Sequence, residues 1–379
     1  MKYQQKIKSI YIVVNADWFL LSHRLPIAVA AKRDEYSVTI VANDTGKSEE
    51  IRKRGFGFID LPVERSSQNI FKEIKILFFL FQIYRRQKPS IVHHVALKAV
   101  TYGAICSRIL RIPTVNALSG MGYTFTEKGR STFLQKFLLY FLKYGLNGKK
   151  SFLILQNLDD KNEFIQKNLI QKEKLKIIRG SGVDCNVYKY FEEPKRDSLQ
   201  IVFPARLLKD KGIIEFVDAA RIIKSRGYEN IRFILSGDLD EGNPTCIEEE
   251  ILLGWVSDNI VEWPGFQNNM IKVFEDSNIV VLPSYREGLP KALIEAAAIG
   301  RAIITTDVPG CREVVSDNEN GFLVPAKNSL ALADKIEILI KDPKLRSSMG
   351  KKSREKAEKE FSIEDVVDKT LSIYSELLR

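Results

Sequence analysis

The amino-acid sequence predicts an α/β protein made of two doubly wound domains, each a parallel sheet covered by helices. Short apolar segments alternate with amphipathic segments along most of the chain, which is the pattern of such a sheet. The alternation stops in a charged segment at residues 189–198 and then restarts. A chain of 379 residues is long enough for two separate cores. We therefore predict domains at residues 1–188 and 189–379.

The first domain combines predicted strands with helices in strict alternation. Strands are predicted at residues 7–14, 36–43, 56–63, 90–96, 114–120 and 151–157, and helices at residues 22–34, 72–87, 100–111 and 161–170. The loops after parallel strands lie at the carboxyl edge of the sheet, where α/β sheets bind ligands. These loops contain the candidate donor contact Asn15 and the candidate acceptor contacts His94, Lys98, Ser119 and Tyr123. A structural role for His94 and a plain turn at residues 119–123 stay open.

The second domain repeats the same pattern. Strands are predicted at residues 199–207, 231–237, 260–265, 278–284 and 302–307, and helices at residues 212–227, 247–258, 268–277 and 290–300. Helices continue to the end of the chain, and we expect the last one to pack on the first domain. Two doubly wound domains leave a cleft between them, and the ligand is expected to bind there.

The loop and helix after the strand at residues 278–284 form the predicted centre of the site. Pro290 favours a helix start at this point because it lacks the N–H that the first turn leaves unpaired. The N–H groups that then face the loop, next to the positive end of the helix dipole, belong to Gly288, Leu289 and Lys291. Glu287 and Glu295 flank this anion site, and carboxylates accept hydrogen bonds from sugar hydroxyls. The arrangement fits a nucleoside-diphosphate sugar, although solvated surface glutamates remain the alternative.

Two cations follow the first strand of the second domain. Arg206 and Lys211 can reach the same carboxyl edge as Glu287, where they would neutralise a diphosphate. Plain surface charges are the alternative. The acidic segment 238–240 matches a metal-binding pair only weakly, so we interpret it as a loop and predict no metal site. Phe266 is a further candidate for donor contact.

Charge distribution points to an anionic partner for the first domain. Residues 1–184 contain 31 Lys and Arg and 15 Asp and Glu, a balance of +16 within a total of +10. Residues 69–88 and 133–150 combine aromatic and leucine side chains with basic ones, which is typical of helices on an anionic membrane surface, although core-facing helices are the alternative. No nucleic-acid-binding motif is present, so nucleic acid is not expected.

Cysteine usage and hydropathy indicate the compartment. The four cysteines show no CxxC or Cys/His spacing, so we expect neither disulfides nor a zinc site. This cysteine usage indicates a reducing compartment. The apolar run near the start is too short for a signal peptide, and no run of 18 apolar residues is found. We expect a cytoplasmic protein held peripherally at the inner face of the plasma membrane.

Several motifs together resemble those of family 4 of the retaining glycosyltransferases, which have the GT-B fold of two Rossmann-like domains with the active site in the cleft between them. The motifs are PARLLKDKG, SYREGLPKALIEAAAIG, TTDVPGCREVVSDNENGFLVP and GSGVD. The segments DWFLLSHRLP, HHVALKAVTYGAICSRILRIP and VNALSGMGYTFTEKG are similar to those of bacterial enzymes that extend undecaprenyl-diphosphate-linked glycans.

The resemblance implies a role for each matching residue. Arg206 and Lys211 bind the donor diphosphate, the N–H groups after Glu287 bind the distal phosphate, Glu287 binds the transferred sugar, and Glu295 binds the ribose. Asn15-Ala16 replaces the glycine pair of many relatives, and VNALSGMGY lacks the histidine that many carry there. No sugar-side histidine is therefore assigned in the first domain.

The combined interpretation is a retaining transferase that needs no obligatory metal. It moves a hexose or N-acetylhexosamine, with GalNAc or GlcNAc favoured, from a UDP-sugar to a polyprenyl-diphosphate-linked glycan. A GT-B-fold UDP-sugar epimerase or phosphorylase and a non-catalytic binding protein are the alternatives.

Overall fold

The computed structural model describes residues 8–62, 70–120 and 133–379, and the chain folds into two compact units. Unit 1 comprises Met1–Ser181 together with Glu364–Arg379, and unit 2 comprises Gly182–Ile363. The chain therefore divides at Gly182, a few residues before the predicted boundary at 189. It then returns to unit 1 with the residues of the last helix, so the second domain does not extend to residue 379.

Unit 1 is built on a sheet of seven parallel strands in the described residues. The strands are β1 (Ser9–Ala16), β2 (Ser37–Asn43), β3 (Gly57–Asp60), β4 (Ile91–Val95), β5 (Thr114–Ala117), β6 (Ser151–Leu155) and β7 (Leu175–Ile177). The helices are α1 (Asp17–His23), α2 (Leu25–Arg33), α3 (Ser48–Lys53), α4 (Ile70–Gln87), α5 (Leu97–Leu110), α6 (Phe133–Leu146) and α7 (Leu158–Gln166). The strand order β3-β2-β1-β4-β5-β6-β7 makes the sheet doubly wound, with its switch point between β1 and β4.

Unit 2 is built on a parallel sheet of five strands. The strands are β8 (Leu199–Phe203), β9 (Ile231–Leu235), β10 (Ile279–Leu282), β11 (Ala302–Thr306) and β12 (Gly321–Val324). The helices of this unit are α8 (Ile213–Ser225), α9 (Glu249–Ser257), α10 (Met270–Asp276), α11 (Lys291–Ile299), α12 (Cys311–Val314), α13 (Ser329–Lys341) and α14 (Pro343–Glu360). The last helix, α15 (Ile363–Leu378), belongs to unit 1 from Glu364 onwards. The strand order is β12-β11-β10-β8-β9. The predicted α/β class with two doubly wound domains is confirmed.

One strand prediction is wrong, and two strands were missed. The segment predicted as a strand at 260–265 forms only a single bridge from Glu262 to Ile234. Pro264 has no N–H to donate and Gly265 has a φ of 77°, so the segment cannot continue a ladder. Strand β7 and strand β12 were missed because each is only three or four residues long and carries no clear alternation.

The histidine pair of β4 belongs to the core of unit 1. His94 is fully buried, with Nε2 2.9 Å from the Tyr84 hydroxyl and Nδ1 2.9 Å from Asn116 Oδ1. His93 Nδ1 lies 2.6 Å from the hydroxyl of Tyr374 on α15, which ties the last helix to this sheet. Helices cover both faces of a parallel sheet, so both histidines of the strand are buried. The prediction that His94 faces the substrate is corrected to a structural role.

The two segments predicted as membrane-surface elements are both amphipathic helices. Helix α4 buries Ile76, Leu80 and Tyr84 along one face. That face therefore packs in the core, as the alternative interpretation of this segment predicts. Helix α6 buries Leu142 and Leu146 and exposes other large side chains to solvent. Within the described ranges, no helix is long and apolar enough to cross a membrane.

Burial of His94 predicts an acid-sensitive fold. Burial lowers the pKa of His94 from 6.5 to about 4, because the charged ring would lose its hydration. As the pH falls, the unfolded state therefore binds a proton at this ring before the folded state does. The contribution of neutral His94 to the free energy of unfolding is complete above pH 6.5 and is lost as the pH falls towards 4. We expect the titration of His94 to lower the free energy of unfolding by an amount on the order of 3 kcal/mol, which urea unfolding at a series of pH values would measure.

The control for this prediction is His94→Asn, which removes the titrating ring and retains a polar side chain. It should lower stability at neutral pH and flatten the dependence between pH 6.5 and 4. An identical pH slope in the variant and the parent protein would contradict the assignment.

Candidate active site

The switch point of the unit 2 sheet lies between β8 and β10. The chain leaves β8 for β9 on one side, and β10 pairs with β8 on the other side. The loops after β8 and β10 therefore lead in opposite directions and leave a crevice outside the carboxyl ends of both strands. Arg206 and Lys211 follow β8, and Glu287 follows β10. The structure thus brings together, within unit 2, the residues that the sequence predicts for donor binding.

A close backbone contact joins these two loops. Gly212 has a φ of 78°, and a Cβ there would lie 2.1 Å from the carbonyl oxygen of Pro283. Only glycine fits both the left-handed backbone and this contact. Beside it, the N–H of Tyr285 donates to the carbonyl of Asp210 over 2.9 Å. The start of α8 and the end of β10 are therefore held as one rigid piece.

Lys211 and Glu287 form an ion pair between the loops. Lys211 Nζ donates to Glu287 Oε1, and the Ser284 hydroxyl donates to the same oxygen over 2.8 Å. The two charged side chains are only 19% and 13% exposed, so solvent screens the pair weakly. An ammonium carries three donors, so Lys211 keeps donors for a bound anion while it holds Glu287 in place.

Arg206 is held by a carboxylate that the sequence did not pair with it. Its Nη1 donates to Oδ2 of Asp240, in the loop after β9. The Arg206 side chain is 40% exposed, so part of the guanidinium still faces solvent. In the described residues, no three His, Cys, Asp or Glu side chains cluster as metal ligands would. In this structure Asp240 therefore orients a cation.

Helix α11 begins one residue later than predicted. Pro290 is the N-cap, with φ −71° and ψ 112°, and Lys291 is the first helical residue. Glu295 is 5% exposed, and its Oε1 accepts from the Tyr188 hydroxyl over 2.8 Å. Lys291 Nζ lies 3.1 Å from the same oxygen. Burial and the adjacent Glu295 carboxylate raise the pKa of Tyr188 well above its usual range, so its hydroxyl stays a donor.

The turn before α12 packs against the backbone of the Glu287 loop and supports it. Glu287 N–H donates to the carbonyl of Pro309 over 3.1 Å. Gly310 has a φ of 81°, and a Cβ there would lie 2.5 Å from the Glu287 carbonyl oxygen and 2.6 Å from that of Gly288. Burial, with the nearby Glu287 carboxylate, raises the pKa of Cys311 to about 12, so this thiol is neutral and not a nucleophile.

Several residues of the site were missed by sequence reasoning. Ser284 and Tyr188 act through Glu287 and Glu295, and Tyr285 donates to Glu215 Oε1 over 2.7 Å. Ser284 and Tyr285 stand inside the quoted motif, so the motif was a usable signal. Tyr188 stands in the segment taken for an interdomain joint, and no local pattern links it to Glu295.

The remaining candidates occupy more varied positions. Asn15 is half-buried near the end of β1, and Ser119 is half-buried directly after β5. Lys98 Nζ lies 2.8 Å from Glu73 Oε1. Phe266 is 64% exposed in the loop before α10. Tyr123 lies outside the described residues.

A buried carboxylate that was not predicted ties the end of β1 to the loop after β2. Asp17 is fully buried, and its Oδ2 accepts from the N–H groups of Thr45 and Lys47, each over 2.8 Å. The loops after β1 and β2 are therefore fixed to each other. The only sequence signal was its position directly after a strand.

Two family models match the chain. "Glycosyl transferases group 1" matches residues 189–356, and "Glycosyl transferase 4-like" matches residues 9–157. The chain is a glycosyltransferase with the GT-B fold. The two matches fall on the two doubly wound units, and the group 1 match contains β8, β10 and the site residues from Arg206 to Gly310.

Curated relatives of this glycosyltransferase extend over nearly the whole chain. It is 27% identical to N,N'-diacetylbacillosaminyl-diphospho-undecaprenol alpha-1,3-N-acetylgalactosaminyltransferase of Campylobacter jejuni, covering 94% of this chain and 95% of the relative. It is 28% identical to the capsular polysaccharide biosynthesis glycosyltransferase CapM of Staphylococcus aureus, covering 84% and 85%. Among solved structures, the fold is shared with Anabaena HepE in complex with UDP, at 18% identity, a TM-score of 0.78 and coverage of 98% and 100%.

Gly310→Ala should displace the Glu287 loop of the glycosyltransferase site, because residue 310 lies in the turn that supports this loop. The methyl group would meet two carbonyl oxygens on a backbone with positive φ. We expect a loss of about 2–4 kcal/mol in unfolding free energy and lower activity. The control is Gly254→Ala in α9, where a Cβ meets nothing within 4 Å and alanine should stabilise the helix by about 0.5–1 kcal/mol. Denaturant unfolding measures both, and equal effects would refute the contact.

Proposed function

We propose that this glycosyltransferase moves a hexose or N-acetylhexosamine, with GalNAc or GlcNAc favoured, from a UDP-sugar to a polyprenyl-diphosphate-linked glycan. The observation that carries the proposal is the convergence of Arg206, Lys211 and Glu287 at the switch point of unit 2, beside the start of α11. The activity named for the Campylobacter jejuni relative and the UDP bound to Anabaena HepE support this substrate class.

Donor recognition follows from the charges of the site. Arg206 and Lys211 bind the diphosphate, and the Leu289 N–H at the start of α11 adds a backbone donor. Each charge-assisted contact contributes roughly 1.5–3 kcal/mol. Glu287, fixed by Lys211 and Ser284, accepts hydrogen bonds from the transferred sugar.

The nucleoside end of the donor meets a second carboxylate. Glu295 is held by Tyr188 and Lys291 through one oxygen, and it accepts from the ribose hydroxyls. Gly288 allows the loop to approach the donor closely because it has no side chain. The exposed ring of Phe266 provides a further donor contact.

Transfer with retention uses the leaving group as the base. The bond between the anomeric carbon and the phosphate oxygen breaks, the acceptor oxygen bonds to the same face of that carbon, and the acceptor proton passes to the departing phosphate. Negative charge grows on the diphosphate, where Arg206 and Lys211 stabilise it most. Two protein cations already neutralise this charge, so the reaction requires no obligatory metal.

The acceptor binds on unit 1 in this proposal. Lys98 and Ser119 follow strands at the carboxyl edge of that sheet, and Tyr123 completes the acceptor candidates. Asn15, near the end of β1, is instead a candidate donor contact. The balance of +16 over residues 1–184 attracts an anionic lipid diphosphate and an anionic membrane surface. The enzyme accordingly acts at the cytoplasmic face of the plasma membrane as a peripheral protein, without nucleic acid.

Removal of either donor cation should slow transfer. Arg206→Ala and Lys211→Ala each lose a contact that strengthens as the diphosphate departs, so we expect kcat/KM to fall about 10- to 150-fold. The control is Arg221→Ala, an exposed arginine of α8 that pairs with Asp218. Parent-like turnover in the two site variants would refute the diphosphate assignment.

A donor and metal test addresses the reaction itself. The protein is incubated with UDP-GalNAc, UDP-GlcNAc or UDP-hexoses and a polyprenyl-diphosphate-linked sugar, in the presence of EDTA. We expect released UDP and a product with the anomeric configuration of the donor. Product that forms only after magnesium is restored would contradict metal independence, inverted product would contradict retention, and transfer only from non-UDP donors would contradict the donor class.

A further inference from the structure

The segment at residues 184–193 packs along the carboxyl-terminal end of α11, and we call it the joint segment. The Phe191 N–H donates to the Ile299 carbonyl over 3.0 Å. Gly300 has a φ of 90°, and a Cβ there would lie 2.6 Å from the Tyr190 ring, so the ring packs directly on the backbone of the helix end. The joint segment is therefore fixed to the end of this helix.

Arg354 of α14 binds the backbone of both elements. Its Nη1 donates to the carbonyls of Tyr188, over 2.5 Å, and Ala298, over 2.6 Å, and its Nη2 donates to the Cys185 carbonyl over 3.1 Å. Ala298 has one of the four carbonyls that the end of α11 leaves without an intrahelical donor. The Arg354 side chain is 16% exposed, and its Nε is paired with Glu358. One planar guanidinium thus ties the joint segment to α11.

The same two elements carry the two partners of a hydrogen bond in the donor site. Glu295 lies on α11, one turn before Ala298, and the Tyr188 hydroxyl donates to Glu295 Oε1 over 2.8 Å. This distance is typical of an O–H donor, so a displacement of about 1 Å would break the bond. Arg354 fixes the backbone on both sides of this hydrogen bond. It therefore fixes the distance between the hydroxyl and the carboxylate.

A carboxylate that is held in place can discriminate between donors by their ribose. Tyr188 and Lys291 both contact Oε1 of Glu295, which holds the carboxylate in one orientation. Glu295 is 5% exposed, so a bound nucleotide without ribose hydroxyls would remove water from this carboxylate and supply no hydrogen bond in return. A site built in this way rejects an analogue that lacks the hydroxyl, whereas a carboxylate that can turn finds other partners.

We propose that Arg354 sets the preference of the donor site for ribonucleotides over deoxyribonucleotides, acting through Tyr188 on Glu295. Arg354 is a positioning residue, because its contacts are the backbone carbonyls that place the hydroxyl against the carboxylate. The inference rests on the proposed function, in which Glu295 accepts hydrogen bonds from the ribose of the UDP-sugar.

Titration calorimetry compares the binding of UDP with that of 2′,3′-dideoxy-UDP, which lacks both ribose hydroxyls. The parent protein should prefer UDP by about 10- to 150-fold, the range for hydrogen bonds to a charged group. Tyr188→Phe and Arg354→Gln should each weaken UDP binding by about 2- to 12-fold and leave the binding of 2′,3′-dideoxy-UDP unchanged. The double variant should bind UDP about as well as the weaker single variant, since both changes act on one hydrogen bond.

Arg346→Gln is the matched control, because Arg346 is a second buried arginine of α14 that holds the joint segment. It donates to Oε1 of Glu193, which lies further along the segment than Tyr188. Arg346→Gln should lower the free energy of unfolding and retain the parent preference for UDP. An equal loss of preference in Arg346→Gln and Arg354→Gln would show a general effect of loosening the segment, and would overturn the role of Arg354.

A parent-like preference in Arg354→Gln would also overturn that role. If Arg354→Gln does not fold, Arg354→Lys replaces it, because an ammonium on a flexible stem does not span the three carbonyls as the planar guanidinium does. A reduced preference in Arg354→Lys would support the inference, and a parent-like preference would overturn it.

Steady-state transfer adds a readout that a general loss of stability would not produce. Arg354→Gln should raise the KM for the UDP-sugar and leave kcat near the parent value, since the ribose is remote from the bond that breaks. A fall in kcat at unchanged KM would contradict a role in ribose binding.

Glu295→Gln separates this inference from the proposed function. If this variant retains the parent preference for UDP, the ribose assignment fails and the inference fails with it. If Glu295→Gln loses the preference and Arg354→Gln keeps it, only the inference fails. A parent protein that transfers no sugar would contradict the proposed function, whereas calorimetry with UDP still decides the role of Arg354.

Discussion

The donor site depends on the close approach of two loops at the switch point of unit 2. The carbonyl of Pro283 occupies the space that a side chain at residue 212 would need, so Gly212 is required there. That contact brings Lys211 next to Glu287, and their ion pair then fixes the Glu287 carboxylate, which we propose faces the sugar. A small backbone constraint thus determines the position of the charged atoms.

Every charged side chain of the site is held by an opposite charge or a hydrogen bond. Lys211 is paired with Glu287, Arg206 with Asp240, and Lys291 with Glu295. In the proposed mechanism, these pairs hold the groups in place before a donor arrives, which lowers the reorganisation needed when charge develops on the diphosphate. A donor that binds here must share these cations with the protein carboxylates. The site therefore favours a ligand that combines phosphate with hydroxyl groups.

The fold class and the donor loop could be predicted from sequence because both depend on local patterns. Alternation of strands and helices identifies a doubly wound sheet, and the motif around Glu287 places a carboxylate, a glycine and a helix start in one short segment. Long-range pairs carry no such local pattern. Tyr188 with Glu295 and Arg206 with Asp240 join distant segments. His94 was ambiguous because alternation along a strand does not show that helices cover both faces.

The sequence by itself determined the α/β class, the approximate position of the domain joint, the residues of the donor loop and the basic character of the first half. These depend on composition and on periods of two and 3.6 residues, which any short segment displays. Only the tertiary structure decided that β8 and β10 are neighbours, that His94 is a core residue, and that α15 belongs to unit 1. These facts depend on strand order and packing between segments far apart in the chain, which local periodicity does not encode.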